Sequence, residues 1–209
     1  MRPLYILVPD LQCAATIRGL FGRDRFHDTL GCGPFEFNPD SDLGVEPTND
    51  PGVWKKAHVI LRPRQSTHEH AIVILDKQWE GSPPLQTIEQ DISQNVAATG
   101  WAAGNFEVVV IDPELENWIW QDNINVEAAF GHTRPPSLRE RLHNAGLWPS
   151  ENRKPPDPKK AVETANQWYG FGPASPVFKE IASTVSVRRC MDQGFRKMRG
   201  ALQNWFPAE

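Results

Sequence analysis

The stretch HAIVILDKQWEG, residues 70–81, decides how this chain is read. Five apolar residues, from Ala71 to Leu75, follow one another without interruption and run straight into Asp76. A half-exposed strand would alternate apolar and polar residues. An unbroken run marks a strand covered on both faces, as in a parallel sheet. Such sheets collect ligands outside the carboxyl ends of their strands, where loops and helix starts present polar groups from several segments. Asp76 stands at that end.

The same pattern recurs on both sides. LYILV (residues 4–8) is closed by Pro9 and Asp10, and FEVVVID (residues 106–112) again ends an apolar run on an acid. PFEFN alternates Phe35 and Phe37 and predicts a further, edge strand, with the turn-rich PDSDLGVEPTNDPG after it as a loop. Helices are predicted between the strands. LQCAATIRGLFG carries Leu11, Ala14, Ala15, Arg18 and Leu20 at helical spacing before Gly22, and VWKKAHVILRPR would pack Trp54, Ala57, Val59 and Leu61 before Pro63. LQTIEQDISQNVAATG places Leu85, Ile88, Ile92 and Val96 on one face and stops at Gly100. PELENWIWQD starts with Pro113 at a favoured first helical position; on such a helix only one of Trp118 and Trp120 can point fully inward. Four strands alternating with helices define an α/β fold, an open parallel sheet of about four strands with right-handed crossovers.

Beyond about residue 131 the strand signals cease and the patterns are helical: SLRERLHNAGLW stopped at Gly146, then, after the Pro-rich ENRKPPDP, KKAVETANQWYG, PVFKEIA and DQGFRKMRGALQNWF. The expected organisation is an α/β domain over residues 1–131 and an all-helical region over residues 132–209 that packs on it. Charge divides along nearly the same line. Residues 1–133 hold 9 Lys and Arg against 19 Asp and Glu, whereas residues 134–209 hold 13 against 7. An acidic body suits cations and a basic tail suits phosphates, although the tail's charges also suit a solvated helical face.

Several classes are disfavoured. No apolar run approaches the roughly 20 residues that cross a bilayer, and Pro9 and Asp10 interrupt the N-terminal run too early for a signal peptide, so a cytoplasmic protein without a membrane partner is expected. Cys13, Cys32 and Cys190 are odd in number and form no CxxC pair, which predicts three structural thiols. No GxxxxGK[ST] loop and no nucleophile elbow occur. His68 and His70 in THEH could pair on a metal, but no second ligand pair is visible, and a strand start accounts for them. The eight Trp, mostly at element ends, are read as filling the seam between sheet and tail.

The acids remain. Asp10, Asp76 and Asp112 end three apolar runs, with Glu80, Glu114 and Glu116 close behind. Asp112 before Pro113 has the character of a helix cap, Asp10 fits a cap or a site, and Asp76 stands too far from the helix near Leu85 to cap it. Oxygen-only clusters suit Mg²⁺ or Mn²⁺.

The order of these elements, with LVPD, ILDKQWE and PELENWIW at the strand ends, resembles the Toprim fold of topoisomerases, primases and related nucleases, nearest the small Toprim-like family of bacterial proteins found beside defence systems. The likeness covers about the first 130 residues, more loosely the closing SVRRCMDQGFRKMRGAL. It implies a Mg²⁺- or Mn²⁺-dependent phosphodiester enzyme, a nuclease acting on nucleic acid in antiviral defence or DNA processing. Asp10 would be a metal ligand or general base and Asp76 the principal ligand. Glu80 would support them, and Glu114 or Glu116 would complete the set. Arg188, Arg189, Arg196, Lys197 and Arg199 would hold the phosphate backbone. Two positions depart from the family pattern: Asp10 stands where it has Glu, and Gln78 where it has the second Asp of Asp-x-Asp. These departures favour the alternative, a Toprim-like module without catalysis that serves as adaptor or sensor for a protein partner in a defence complex.

Overall fold

Residues 1–121, 123–132, 134–170, 175–188 and 190–208 are described by a computed structural model. Its centre is a parallel sheet of strands β1 (Arg2–Val8), β2 (Leu43–Val45), β3 (His68–Asp76) and β4 (Phe106–Ile111) in the order β2-β1-β3-β4. The chain leaves β1 for one edge, then returns past β1 to build β3 and β4 on the other side. Such a reversal opens a crevice at the carboxyl ends of the two central strands. Leu7 pairs with Val73, and carrying that register onward brings Asp10 level with Asp76.

Each sheet face buries its own half of the alternating side chains. Leu4, Ile6, Val8, Ile72, Ile74, Val109 and Ile111 face α1 (Leu11–Phe21) and the C-terminal helices. Tyr5, Leu7, Val73, Leu75, Val108 and Val110 face α4 (Asn49–Leu61) and α5 (Leu85–Ala98), which follow the short α2 (Phe26–Leu30) and α3 (Pro39–Asp42) along the chain. Both faces of β3 are thus covered, as its unbroken apolar run required. In α5, Ile88, Ile92 and Val96 are the buried stripe.

After β4 come α6 (Glu116–Ile119) and α7 (Ile124–Ala129), and the helical C-terminal region adds α8 (Leu138–Asn144), α9 (Pro158–Tyr169), α10 (Ser175–Thr184) and α11 (Gln193–Trp205). Phe178, Ile181, Phe195, Met198 and Leu202 belong to the same continuous core as the sheet. Helix α11 runs back along β4. Its Gly194 lies against the backbone of Val110 and Ile111, and at its far end Trp205 donates from Nε1 to the Gly104 carbonyl at 2.5 Å. All three cysteines are buried free thiols. No helix among the described residues is long and apolar enough to cross a membrane.

Four expectations are corrected. The segment with Phe35 and Phe37 is not a strand: these rings join Phe21, Phe26 and Phe206 in an aromatic cluster, with Phe35 stacked on Phe206 at 3.9 Å. The fourth strand is Leu43–Val45, inside the presumed loop, and three residues are too few to show a period. Val59 is 60% exposed, because α4 begins four residues before the predicted start and buries Val53, Ala57 and Leu61. Finally, α6 ends at Ile119 and Trp120 is extended (φ −75°, ψ 92°), so Trp118 and Trp120 are both buried.

Candidate functional site

At the crevice between β1 and β3, carboxylates that follow β1, β3 and β4 converge with one from the first turn of α4. Asp76 closes β3 and pairs in register with Ile111 of β4. Its backbone N–H donates to Asp50 Oδ1 at 2.7 Å, so the first turn of α4 is fastened to the end of β3. Asp10 follows β1 and its Oδ1 accepts from Cys13 N at 2.7 Å, the N-cap of α1. Glu114 and Glu116, on the loop and helix start after β4, are 7% and 5% exposed.

Their mutual influence places them together. Burial pushes the Asp76 carboxyl well above the ordinary aspartate range, and Asp50, Glu116, Asp10 and Glu114 push it further. Burial also raises Asp50, with Asp10 adding to the effect while the bond from the Asp76 N–H opposes it. Glu116 is pushed up to about 7, first by burial and then by Glu114 and Asp10, against Lys159. The Cys13 thiol, buried beneath the group, is raised by burial and by Asp76, Asp10, Asp50 and Glu116. The crowded carboxyls of this crevice therefore hold on to protons to higher pH than isolated carboxyls would. Lys159, in the first turn of α9, is the cation that acts on it, with Nζ 3.9 Å from Glu114 Oε2. Among the described residues no three His, Cys, Asp or Glu side chains are grouped tightly enough to hold a metal ion as they stand.

Beside the acidic group lies an open cleft lined by Gln78, Trp79, Glu80, Glu114, Lys159 and Glu163. Glu80 and Gln78 are exposed there, at the rim. The Gln78 N–H, like that of Lys77, donates to the Pro113 carbonyl, which ties the loop after β3 to the loop after β4. Asp112 is exposed. The cap expected of it is absent among the described residues, because α6 begins only at Glu116, after Leu115.

The basic residues proposed for phosphate contact are spread out. Lys197 bonds Glu89 at 2.7 Å and Glu107 at 3.3 Å, pairing with its own chain's acids. Arg199 Nη1 donates to the Arg188 carbonyl at 3.1 Å, while the Arg188 and Arg196 side chains are exposed. Arg189 lies outside the described residues. His68 starts β3, buried, with Nε2 3.2 Å from Asp42 Oδ1 at the opposite sheet edge.

Two members of the site escape a reading of the sequence alone. Asp50 sits in TNDPG, which reads as a loop; Pro51 so close behind it is equally a helix-start signal, and that signal points to α4. Lys159 follows Asp157 and Pro158, the N-cap and first residue of α9, and only the tertiary fold brings it to Glu114. No protein-family model, no curated protein and no solved structure matches the chain.

Proposed function

We propose that the chain is a Toprim-like, divalent-cation-dependent phosphodiester enzyme, a nuclease acting in a bacterial defence or DNA-processing context. The observation that carries the proposal is the crowding of half-buried Asp76 with Asp10, Asp50 and the buried Glu114 and Glu116 at the crevice between β1 and β3. Buried carboxylates repel one another unless protons or a cation sit between them. The donors are all oxygen, which fits Mg²⁺ or Mn²⁺. Asp76 and Asp10 would hold the ion, with Glu116 and Glu114 as further ligands and Glu80 at the rim. When bound, such an ion supplies Lewis-acid stabilisation of a phosphoryl oxygen and an acidified water.

The chain's own groups have matching roles. Glu116, with its pKa near 7, is suited to accept and return a proton at neutral pH. Lys159 at the cleft offsets the charge of Glu114 and stands where an anionic substrate would enter. Asp50 acts through its bond to the Asp76 N–H and fixes the end of β3.

A second reading, the non-catalytic adaptor or sensor that binds a protein partner, draws on a specific observation: Asp10 Oδ1 is occupied as a helix cap and Gln78 lies exposed. Digestion of single- and double-stranded DNA and RNA in millimolar Mn²⁺ separates the two. Cleavage by the wild type that Asp76→Asn abolishes supports the enzyme. Absence of cleavage on all four substrates, with a protein that co-purifies, supports the adaptor.

A further inference from the structure

A second polar cavity lies at the other end of α9, away from the acidic crevice. It measures about 430 Å³ and is lined by Gly131, His132, Arg134, Pro135, Pro136, Arg141 and Tyr169. Among the described residues no carboxylate lines it. From Lys159 to Tyr169 the helix advances about 15 Å, so this cavity is distinct from the Glu114 cleft.

Of its two arginines, Arg141 is held in place from behind. Arg141 Nη1 donates to the Tyr169 hydroxyl at 2.7 Å, and the guanidinium lies 4.5 Å above the Trp168 ring and 5.2 Å from that of Tyr169. The Tyr169 hydroxyl pairs in turn with His132 Nδ1 at 2.5 Å. His132 Nε2 faces the Pro136 carbonyl at 2.6 Å; a carbonyl only accepts, so Nε2 carries a proton and the ring orientation is fixed. This chain of bonds uses one nitrogen of the Arg141 fork. Among the described residues the other two have no hydrogen-bond partner, and the Arg141 side chain is half-exposed. Neither Arg141 nor the exposed Arg134 pairs with a carboxylate among the described residues.

A guanidinium pre-oriented by stacking and a hydroxyl, with a second guanidinium at the rim and no competing acid, matches a tetrahedral oxyanion. We propose that this cavity binds a phosphate group, Arg141 engaging it through the two fork nitrogens that Tyr169 does not take up and Arg134 adding charge. Two sources share that chemistry, a free phosphate or mononucleotide and the backbone of a nucleic acid.

The test uses the full chain. Inorganic phosphate is titrated by calorimetry into the wild type, Arg141→Ala, Arg141→Lys and Arg134→Ala, at constant ionic strength with chloride as the control anion. A 5′-phosphorylated single-stranded oligonucleotide and its unphosphorylated form are titrated by fluorescence anisotropy. Binding of phosphate over chloride that weakens at least tenfold in Arg141→Lys, which keeps the charge but loses the fork, and severalfold in Arg134→Ala, supports the site. If the oligonucleotides weaken in parallel, the source is a nucleic acid; if only inorganic phosphate responds, it is a small molecule. Should Arg141→Ala fail to fold, the Arg141→Lys and Arg134→Ala results stand alone, since the Arg134 side chain is exposed. Equal phosphate affinity in wild type and both variants, or no preference over chloride, would overturn the proposal.

Discussion

Glu116→Gln should stabilise the protein, and by an amount that grows with pH. Glu116 is 5% exposed and its carboxyl is raised from 4.5 to about 7. Below pH 4 the folded and unfolded chains both carry the proton, so this group contributes nothing to the pH dependence. Between 4.5 and 7 the folded chain retains a proton that the unfolded chain has released, and stability therefore falls as pH rises. Above about 7 the loss is complete. At about 1.4 kcal/mol per pH unit, the rise corresponds to about 3 kcal/mol. Glutamine keeps the shape and removes the charge, so the variant should gain about 3 kcal/mol at pH 8 and almost nothing at pH 4. For a chain of this size that is a rise of about 6–12 °C in melting temperature. The assay is thermal unfolding by circular dichroism from pH 4 to 8 with a chelator present. An equal shift at both ends of the range would refute the argument, because it would mean that packing and not charge distinguishes the two side chains.

Asp192→Ala removes the N-cap of α11 and leaves Trp118 Nε1 and Asn117 Nδ2, each 2.7 Å from its carboxylate, without their acceptor; a loss of about 2–4 kcal/mol in a urea melt is expected. Gly19→Ala would force a methyl to within 2.9 Å of the Ala182 Cβ where α1 meets α10, and should cost about 1–3 kcal/mol by the same assay. Lys197→Ala breaks two half-exposed ion pairs and should cost less than about 1 kcal/mol; a larger effect on oligonucleotide binding than on stability would restore Lys197 as a phosphate contact. Mn²⁺ must displace the protons of Glu116 and Asp76, so its stabilising effect should be larger at pH 8 than at pH 5.5.

The sheet was legible where burial left a clear mark. The apolar runs ending at Val8, Asp76 and Asp112 are β1, β3 and β4 or their immediate exits, and the stripe of Ile88, Ile92 and Val96 is the buried face of α5. The strand Leu43–Val45 was not legible, since three residues with Gly44 at the centre carry no pattern and are fixed only by pairing with Ile6 to Val8. Aromatic alternation misled at Phe35 and Phe37 because those rings serve a cluster rather than a pleat. Within the site, Asp10 and Asp76 could be read from their positions after strands. Asp50 and Lys159 could not, because each lies on the opening turn of a helix whose distance from the crevice is set by tertiary packing. Charge counting likewise saw a basic tail but not that Lys197 is taken up by Glu89 and Glu107.

The central claim, that Asp76 anchors a divalent-cation site, is tested most directly by melting the wild type and Asp76→Asn at pH 7.5 across a Mn²⁺ titration. A folded-state site raises the melting temperature with the logarithm of free Mn²⁺, by about 2.7 kcal/mol at a hundredfold excess over Kd. The account predicts that rise in the wild type and its loss in Asp76→Asn, which should itself melt higher than the wild type when no metal is present. Superimposable Mn²⁺ titrations of the two proteins, or a flat response in both, would contradict it.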